Sequence, residues 1–273
     1  MPRESKTCCR GCCLTIAGSD SGGNAGVQAD LRAFHAYGLH GCTVLAALTA
    51  QNPRAVSAIY EVPANFVAAQ LDAVLGVYDI RALKTGMLAD AAVIEVVADR
   101  VAAHPEIARV VDPVMIATSG ARLLRADACK ALAGKLLPLA TLATPNLPEA
   151  AELCGAEGDA ATLARGVYER YGCATLVKGG HADGQDSVDV LYDGRELRMF
   201  SLPRIVNPVS THGTGCTLAA ALAAELALGH GLADAVEGAK RHVHEAIAGA
   251  YRVGEDCAVL GFVRGVPRCD IIP

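Results

Sequence analysis

The sequence predicts an α/β fold: a central, mostly parallel sheet covered by helices on both faces. Short apolar runs of strand length alternate with segments of helical periodicity along most of the chain. Several of those runs end in loops of small and polar residues, which is how strands of an open α/β sheet present a ligand edge. A glycine-bearing stretch, Thr211-His212-Gly213-Thr214-Gly215-Cys216-Thr217, feeds directly into the alanine- and leucine-rich run from Leu218 to Leu226. Alanine and leucine have the best helix propensities, so this junction is a loop entering a helix N-terminus.

A length of 273 residues fits one large α/β domain, and 52% hydrophobic residues supply its core. Aromatics are only 4%, so helices rich in alanine must pack closely. No apolar run reaches the length of a membrane span. A net charge of −5 argues against nucleic acid as the main partner. Of the 11 cysteines, Cys8, Cys9, Cys12 and Cys13 cluster at the N-terminus, and the others are scattered singly. That is no disulfide framework, and no apolar run precedes Leu14, so the chain reads as cytoplasmic with reduced thiols. Residues 1–13 read as a disordered cysteine-rich tail, 14–252 as the folded domain and 253–273 as a C-terminal tail without pattern. No second ligand pair at zinc spacing follows the cysteine cluster.

Leu14 to Gly18 reads as a strand emptying into the loop from Ser19 to Gly26. Val27, Leu31 and Phe34 then recur at helical spacing. Cys42 to Ala50 is a second apolar segment, and Val56 to Tyr60 a short strand. Ala64 to Val74 is helical, Ala82 to Met87 a strand running into a loop, Ala91 to Ala103 a helix. Ala108 to Val111 is a strand stopped by Asp112-Pro113. Asp127 to Leu137 is a helix and Thr141 to Thr144 a strand. Pro148 suits the first turn of a helix ending at Leu153. Ala160 to Tyr171 is a helix and Ala174 to Lys178 a strand. Val188 to Tyr192 and Glu196 to Phe200 alternate about Asp193-Gly194, a hairpin signal. Leu232 to Tyr251 is the last helix.

A parallel sheet gathers strand ends on one edge, which there would carry Asp20, Gln51, Met87, Asp112, Asn146, Glu149, Lys178 and Cys216. The turn from Gly213 to Cys216 offers backbone N–H groups without intrahelical partners and the positive end of the helix dipole, a ready anion site. The same field is expected to lower the pKa of Cys216. Asp112 and Glu149 offer the oxygen ligands that Mg²⁺ takes, directly or through water. Lys178 offers a point charge to nucleotide phosphates. Phosphoryl transfer needs mostly this positioning and charge neutralisation. No G-x-x-x-x-G-K-[ST] occurs, which excludes a P-loop enzyme.

Seven segments in order, LTIAGSDSGGNAG from Leu14, ALTAQN from Ala47, KTGML from Lys84, VDPVM from Val111, TPNLPE from Thr144, VKGGH from Val177 and THGTGCT from Thr211, resemble the hydroxymethylpyrimidine/phosphomethylpyrimidine kinases of thiamine biosynthesis. The resemblance spans Leu14 to Tyr251. It implies a ribokinase-like fold and two ATP-dependent phosphorylations, of the pyrimidine alcohol and then of its monophosphate. It implies that Gly18 and Asp20 lie near substrate, that Gln51 hydrogen-bonds the aminopyrimidine, and that Met87 packs on its ring. Gly213, Thr214, Gly215 and Cys216 match the family's anion hole, with Cys216 as catalytic base. Lys178, Asn146 and Thr211 fall on the nucleotide side, with Mg²⁺ at Asp112 and Glu149. A homodimer is the family expectation. The chain departs from the family pattern at Asn24, where a glycine is usual, and at Asn207-Pro208-Val209-Ser210. The alternatives are a pyridoxal-type kinase on the same fold, since Gln51 can bond either heterocycle, and a non-catalytic pyrimidine sensor.

Overall fold

The computed structural model describes residues 11–115, 124–179 and 184–262. Cys8, Cys9 and His181 lie outside them. The main sheet has nine strands: β1 (Cys12–Asp20), β2 (His40–Asn52), β3 (Ala55–Glu61), β4 (Ile80–Thr85), β5 (Ala108–Val111), β6 (Leu142–Ala143), β7 (Ala174–Val177), β8 (Asp186–Tyr192) and β9 (Leu197–Pro203). Their order is β3-β2-β1-β4-β5-β6-β7-β8-β9. The strands from β2 to β7 run parallel, whereas β3 pairs antiparallel with β2, and β8 and β9 pair antiparallel at the other edge. β1 is the switch point: the chain leaves it to build β2 on one side and returns to place β4 on the other. Ligands of open α/β sheets bind beyond the carboxyl ends at such a point.

Helices α1 (Gly26–Ala36), α2 (Ala64–Leu75), α3 (Ala91–Ala102), α4 (Ala126–Ala131), α5 (Leu147–Cys154), α6 (Ala160–Tyr171), α7 (Thr214–Ala227) and α8 (Leu232–Ala248) cover the sheet. Two apolar clusters mark its two faces. One joins Val67 and Leu71 of α2, Ile94 and Val97 of α3, Leu153 of α5 and Val167 of α6 to Leu14, Ile16 and Leu83. The other joins Phe34 of α1, Leu218 to Ala224 of α7 and Val236 of α8 to Cys13, Ala82 and Val110. The two strand sets alternate along β1 and β4, the period-2 pattern of a sheet buried on both faces. α7 is the central helix of its layer, buried all round from Thr217 to Glu225, which explains its near lack of polar residues.

The structure corrects several boundaries. Cys12 and Cys13 belong to β1, and Cys13 is fully buried with its thiol directed at the Ala223 carbonyl, so the expected tail does not include them. The segment expected as one helix from Asp127 to Leu137 is α4 followed by a π-turn over Leu132–Leu136 and a 3₁₀ turn over Leu137–Leu139. Pro138 removes an amide there and favours the tighter turn. α8 stops at Ala248 because Gly249-Ala250 breaks it. Tyr251 then opens a hairpin of β10 (Tyr251–Gly254) and β11 (Cys257–Val259), in the segment expected to be patternless.

Candidate active site

Asp20 ends β1, and its carboxylate is taken by the loop that follows. Oδ1 accepts from Gly22 N at 2.8 Å, and Oδ2 accepts from Asn24 N at 2.9 Å and Ala25 N at 2.8 Å. Asp20 therefore shapes the glycine-rich loop, with both oxygens committed to backbone rather than held out toward a ligand. His212 comes within 3.9 Å of Oδ2. Gly213 caps α7 at φ +87°, a left-handed conformation open to glycine at little cost. Its Cα packs so close to Asn24 that a Cβ would overlap the Asn24 carbonyl oxygen. The first loop and the α7 turn are thus interlocked.

The α7 turn has the form expected of an anion site. Thr217 N and Oγ1 both donate to Gly213 O, at 2.9 and 2.8 Å, which closes the first helical turn. Gly215 and Cys216 lie in that turn, where amides lack intrahelical acceptors. The Gly26 amide at the start of α1 favours the charged form of the Cys216 thiol. The expected lowering of its pKa is nevertheless overturned: burial pushes the Cys216 thiol above its ordinary value, against the pull of Lys84 and the Gly26 amide.

β5 and β7 carry the charged pair of the site. Lys178 Nζ donates to Asp112 Oδ1 at 2.7 Å, and Thr144 Oγ1 donates to the same oxygen at 2.9 Å. The second oxygen, Oδ2, faces Gly215: a Cβ there would lie 3.9 Å from Oδ2 and 3.8 Å from Lys178 Nζ. Burial alone would lower the lysine's pKa, but Asp112 and Glu149 outweigh it and raise it. Glu149 caps α5: its Oε2 accepts from Asn146 N at 2.8 Å while Asn146 Oδ1 accepts from Glu149 N at 2.9 Å, a capping box. Its Oε1 accepts from Met115 N at 3.4 Å. Burial pushes the Glu149 carboxyl up, Lys178 opposes this and Asp112 adds to it.

Gly18, Met87 and Gln51 line the edge beside these groups. A Cβ on Gly18 would sit 2.7 Å from Met87 Cε, so the missing side chain makes room for the methionine. Gln51 N donates to Ser21 Oγ at 2.8 Å, and Gln51 Oε1 accepts from Thr49 Oγ1 at 3.3 Å. Asn146 bridges to Lys178 across the parallel edge, and Thr211 is exposed at the entrance to α7. Hence Asp112, Glu149, Asn146, Lys178 and the α7 turn come together, with Gly18, Met87 and Gln51 at the β1–β2–β4 end.

Among the described residues no group of three or more His, Cys, Asp or Glu side chains is placed to hold a metal ion. The donors that fit Mg²⁺ are hard oxygens, as that ion requires: Asp112 Oδ2, which faces Gly215 of the α7 turn, with Glu149 nearby. Two further charged pairs escaped the sequence reading. Lys84 is clamped by Asp30, and Lys240 Nζ donates to Asp189 Oδ2 at 2.8 Å while Asp189 Oδ1 takes the Gly179 amide at 2.8 Å. Asp30 shares the apolar stripe of Val27 and Phe34, and Lys84 interrupts an apolar strand, but nothing local in the sequence pairs the two.

Residues 20–260 match the family model of phosphomethylpyrimidine kinase. The chain belongs to that family. A hydroxymethylpyrimidine/phosphomethylpyrimidine kinase of Rhizobium meliloti (strain 1021) is 49% identical over 245 residues, covering 88% of this chain and 91% of that protein. The protein of the same name in Escherichia coli (strain K12) is 45% identical, covering 87% and 91%. Among solved structures, an ADP complex of Bacillus subtilis pyridoxal kinase superposes with a TM-score of 0.84 at 33% identity, covering 91% of this chain and 96% of that one. A phosphomethylpyrimidine kinase from Clostridium difficile 630 gives 0.77 at 36% identity, covering 86% and 98%. The fold of this phosphomethylpyrimidine kinase family member is therefore ribokinase-like, as its sheet order and flanking helices have it.

Proposed function

We propose that the protein phosphorylates 4-amino-5-hydroxymethyl-2-methylpyrimidine with ATP, first to the monophosphate and then to the diphosphate, in thiamine biosynthesis. The observation that carries this reading is the glycine turn of α7 lying over the Asp112–Lys178 pair. Amides of Gly213, Thr214, Gly215 and Cys216 receive the charge of the transferring phosphoryl group. Lys178 neutralises nucleotide phosphate, with Asn146 and Thr211 on the same side. Asp112 and Glu149 are the residues that would hold Mg²⁺, which neutralises phosphate charge when bound. Gly18, Gln51 and Met87 take the pyrimidine ring, and Asp20 acts by fixing the loop around it.

The first acceptor is an alcohol, whose proton Cys216 takes as the oxygen attacks. The second is a phosphate monoester with a second pKa near ~6, already ionised at neutral pH. Its attack needs no base.

Pyridoxal kinase is the second reading, favoured by the superposition on pyridoxal kinase structures. ATP turnover with the pyrimidine and with pyridoxal, following mono- and diphosphate separately, tests both. Diphosphate from the pyrimidine is expected. Phosphorylation of pyridoxal alone would move the assignment, and pyrimidine binding without turnover would make the protein a sensor. A cytoplasmic location accords with the thiols of Cys13, Cys42, Cys154, Cys173, Cys216 and Cys257, which form no disulfide. A homodimer accords with Leu48, Ile59 and Tyr60 exposed along β2 and β3, and light scattering on the purified protein tests it.

A further inference from the structure

Lys178 and Gly179, at the end of β7, are held from both sides through successive amides. Lys178 N donates to Pro145 O at 2.9 Å, on the side of β6. Gly179 N donates to Asp189 Oδ1 at 2.8 Å, on the side of β8. The β7–β8 ladder stops just short of them, at the pair Val177–Val190. Beyond it a side-chain carboxylate takes the place of a backbone acceptor. Gly179 lies so close to β8 that a Cβ on it would overlap the Val188 carbonyl oxygen.

Asp189 is held in turn. Its Oδ2 accepts from Lys240 Nζ at 2.8 Å, and Lys240 also reaches Ser187 Oγ at 3.4 Å. Ser187 and Asp189 lie on one face of β8, and Lys240 follows Val236 by one turn on the buried stripe of α8. The side chains of Lys240 and Asp189 are only 8% and 7% exposed. Apolar residues of similar size often stabilise a core as well as a buried ion pair does, because desolvation offsets the attraction. The pair therefore asks for a use beyond stability, and the contact with Gly179 supplies one. Gly179 adjoins Lys178, whose Nζ donates to Asp112 Oδ1 at 2.7 Å beside the α7 turn.

We propose that Asp189 and Lys240 are positioning residues for the nucleotide side of the site. Asp189 fixes the Gly179 amide, and with it the main chain from which Lys178 reaches Asp112. Lys240 orients the Asp189 carboxylate and supplies its counter-charge. The consequence for ATP rests on the kinase reading above, but the hold on Gly179 can be read without nucleotide.

The test compares two double variants that both remove the charged pair. D189N/K240M keeps a side-chain oxygen for the Gly179 amide, whereas D189L/K240M, of similar size, offers none. The first readout is hydrogen exchange at the Gly179 amide in the ligand-free protein, followed by NMR. Exchange at least about tenfold faster is expected in D189L/K240M, with D189N/K240M within about threefold of the unsubstituted protein. The second readout is steady-state kinetics with ATP varied. kcat/KM for ATP should fall about tenfold in D189L/K240M in both phosphorylation steps, with the pyrimidine KM within about twofold, and D189N/K240M should recover most of that loss. A role in the core alone would not split the two variants in this way. Where D189L/K240M does not fold, D189A/K240M gives the same readouts. Equal Gly179 exchange or equal ATP kinetics in the two folded variants overturns the proposal, and so does a loss carried by the pyrimidine KM. Failure of both acceptor-free variants to fold while D189N/K240M folds also overturns it, by assigning the pair to the core. If the unsubstituted protein phosphorylates neither substrate, the kinase reading fails while the exchange rates still decide whether Asp189 holds Gly179.

Discussion

Gly213 rests against the Asn24 carbonyl, and this contact joins the loop after β1 to the turn that opens α7. The positive φ of Gly213 and the absence of a Cβ are both needed. Gly213→Ala is expected to carry about 1–2 kcal/mol of backbone strain before the overlap with Asn24 is counted. Both phosphorylation steps should fall together, by at least about tenfold, because the anion hole serves both. Tm should drop by about 2–4 °C per kcal/mol lost. Single-turnover rates for each acceptor, beside a thermal melt, check this. Loss confined to one step would contradict a shared anion hole.

Gly18 differs, because its backbone is one that any residue can adopt and only space is at issue. The added methyl would meet Met87 Cε at 2.7 Å, the flexible end of a side chain. Gly18→Ala should leave Tm unchanged and raise KM for the pyrimidine about tenfold by displacing Met87 from the ring. Gly18→Ala with Met87→Ala should show a smaller penalty than the sum of the two single changes, since the clash is gone. Strict additivity in that cycle would separate Gly18 from Met87 and from the ring site.

The sheet, its helices and the edge on which the site lies were legible because their signals are local. Strand ends fall beside small polar loops, and a strong helix former follows the glycine turn. Burial and partnership were not legible. Asp20 looks like a ligand-facing carboxylate in sequence, yet the loop amides claim both its oxygens. Cys216 at a helix N-terminus suggests an acidic thiol, yet the packing around it raises the pKa. Lys84 and Asp30 lie 54 residues apart, and no local pattern pairs them. Cys12 and Cys13 read as tail because four cysteines cluster there, but the continuous burial of β1 begins at Cys13.

Cys216 gives a prediction with a sign. In the proposed alcohol step its deprotonated form acts as the base, and its pKa is raised by burial. The alcohol step should therefore accelerate as pH rises through and above the ordinary thiol range, because the active form is gained in that direction. The monophosphate step should be flat there, its acceptor having ionised near pH ~6. Cys216→Ala should slow the first step by about 10²-fold or more, the usual contribution of a general base, and abolish its rise with pH. The second step should lose much less. Equal losses in both steps would reduce Cys216 to a positional role.

Lys178 and Asp112 make the last test, because they can be separated by charge and shape. Removing the ammonium with Lys178→Met leaves Asp112 and Glu149 facing each other without their shared cation, so the Glu149 carboxyl should rise further from its ordinary value. kcat/KM for ATP should fall by about 10²-fold in both steps, with the pyrimidine KM little changed. Lys178→Arg keeps the charge but spreads it over a planar fork that cannot reproduce a compact 2.7 Å contact with Asp112 Oδ1, so it should recover only part of that loss. Steady-state kinetics with ATP varied at saturating pyrimidine read the outcome. A loss expressed in the pyrimidine KM would place Lys178 on the acceptor side of the sheet edge instead of the nucleotide side.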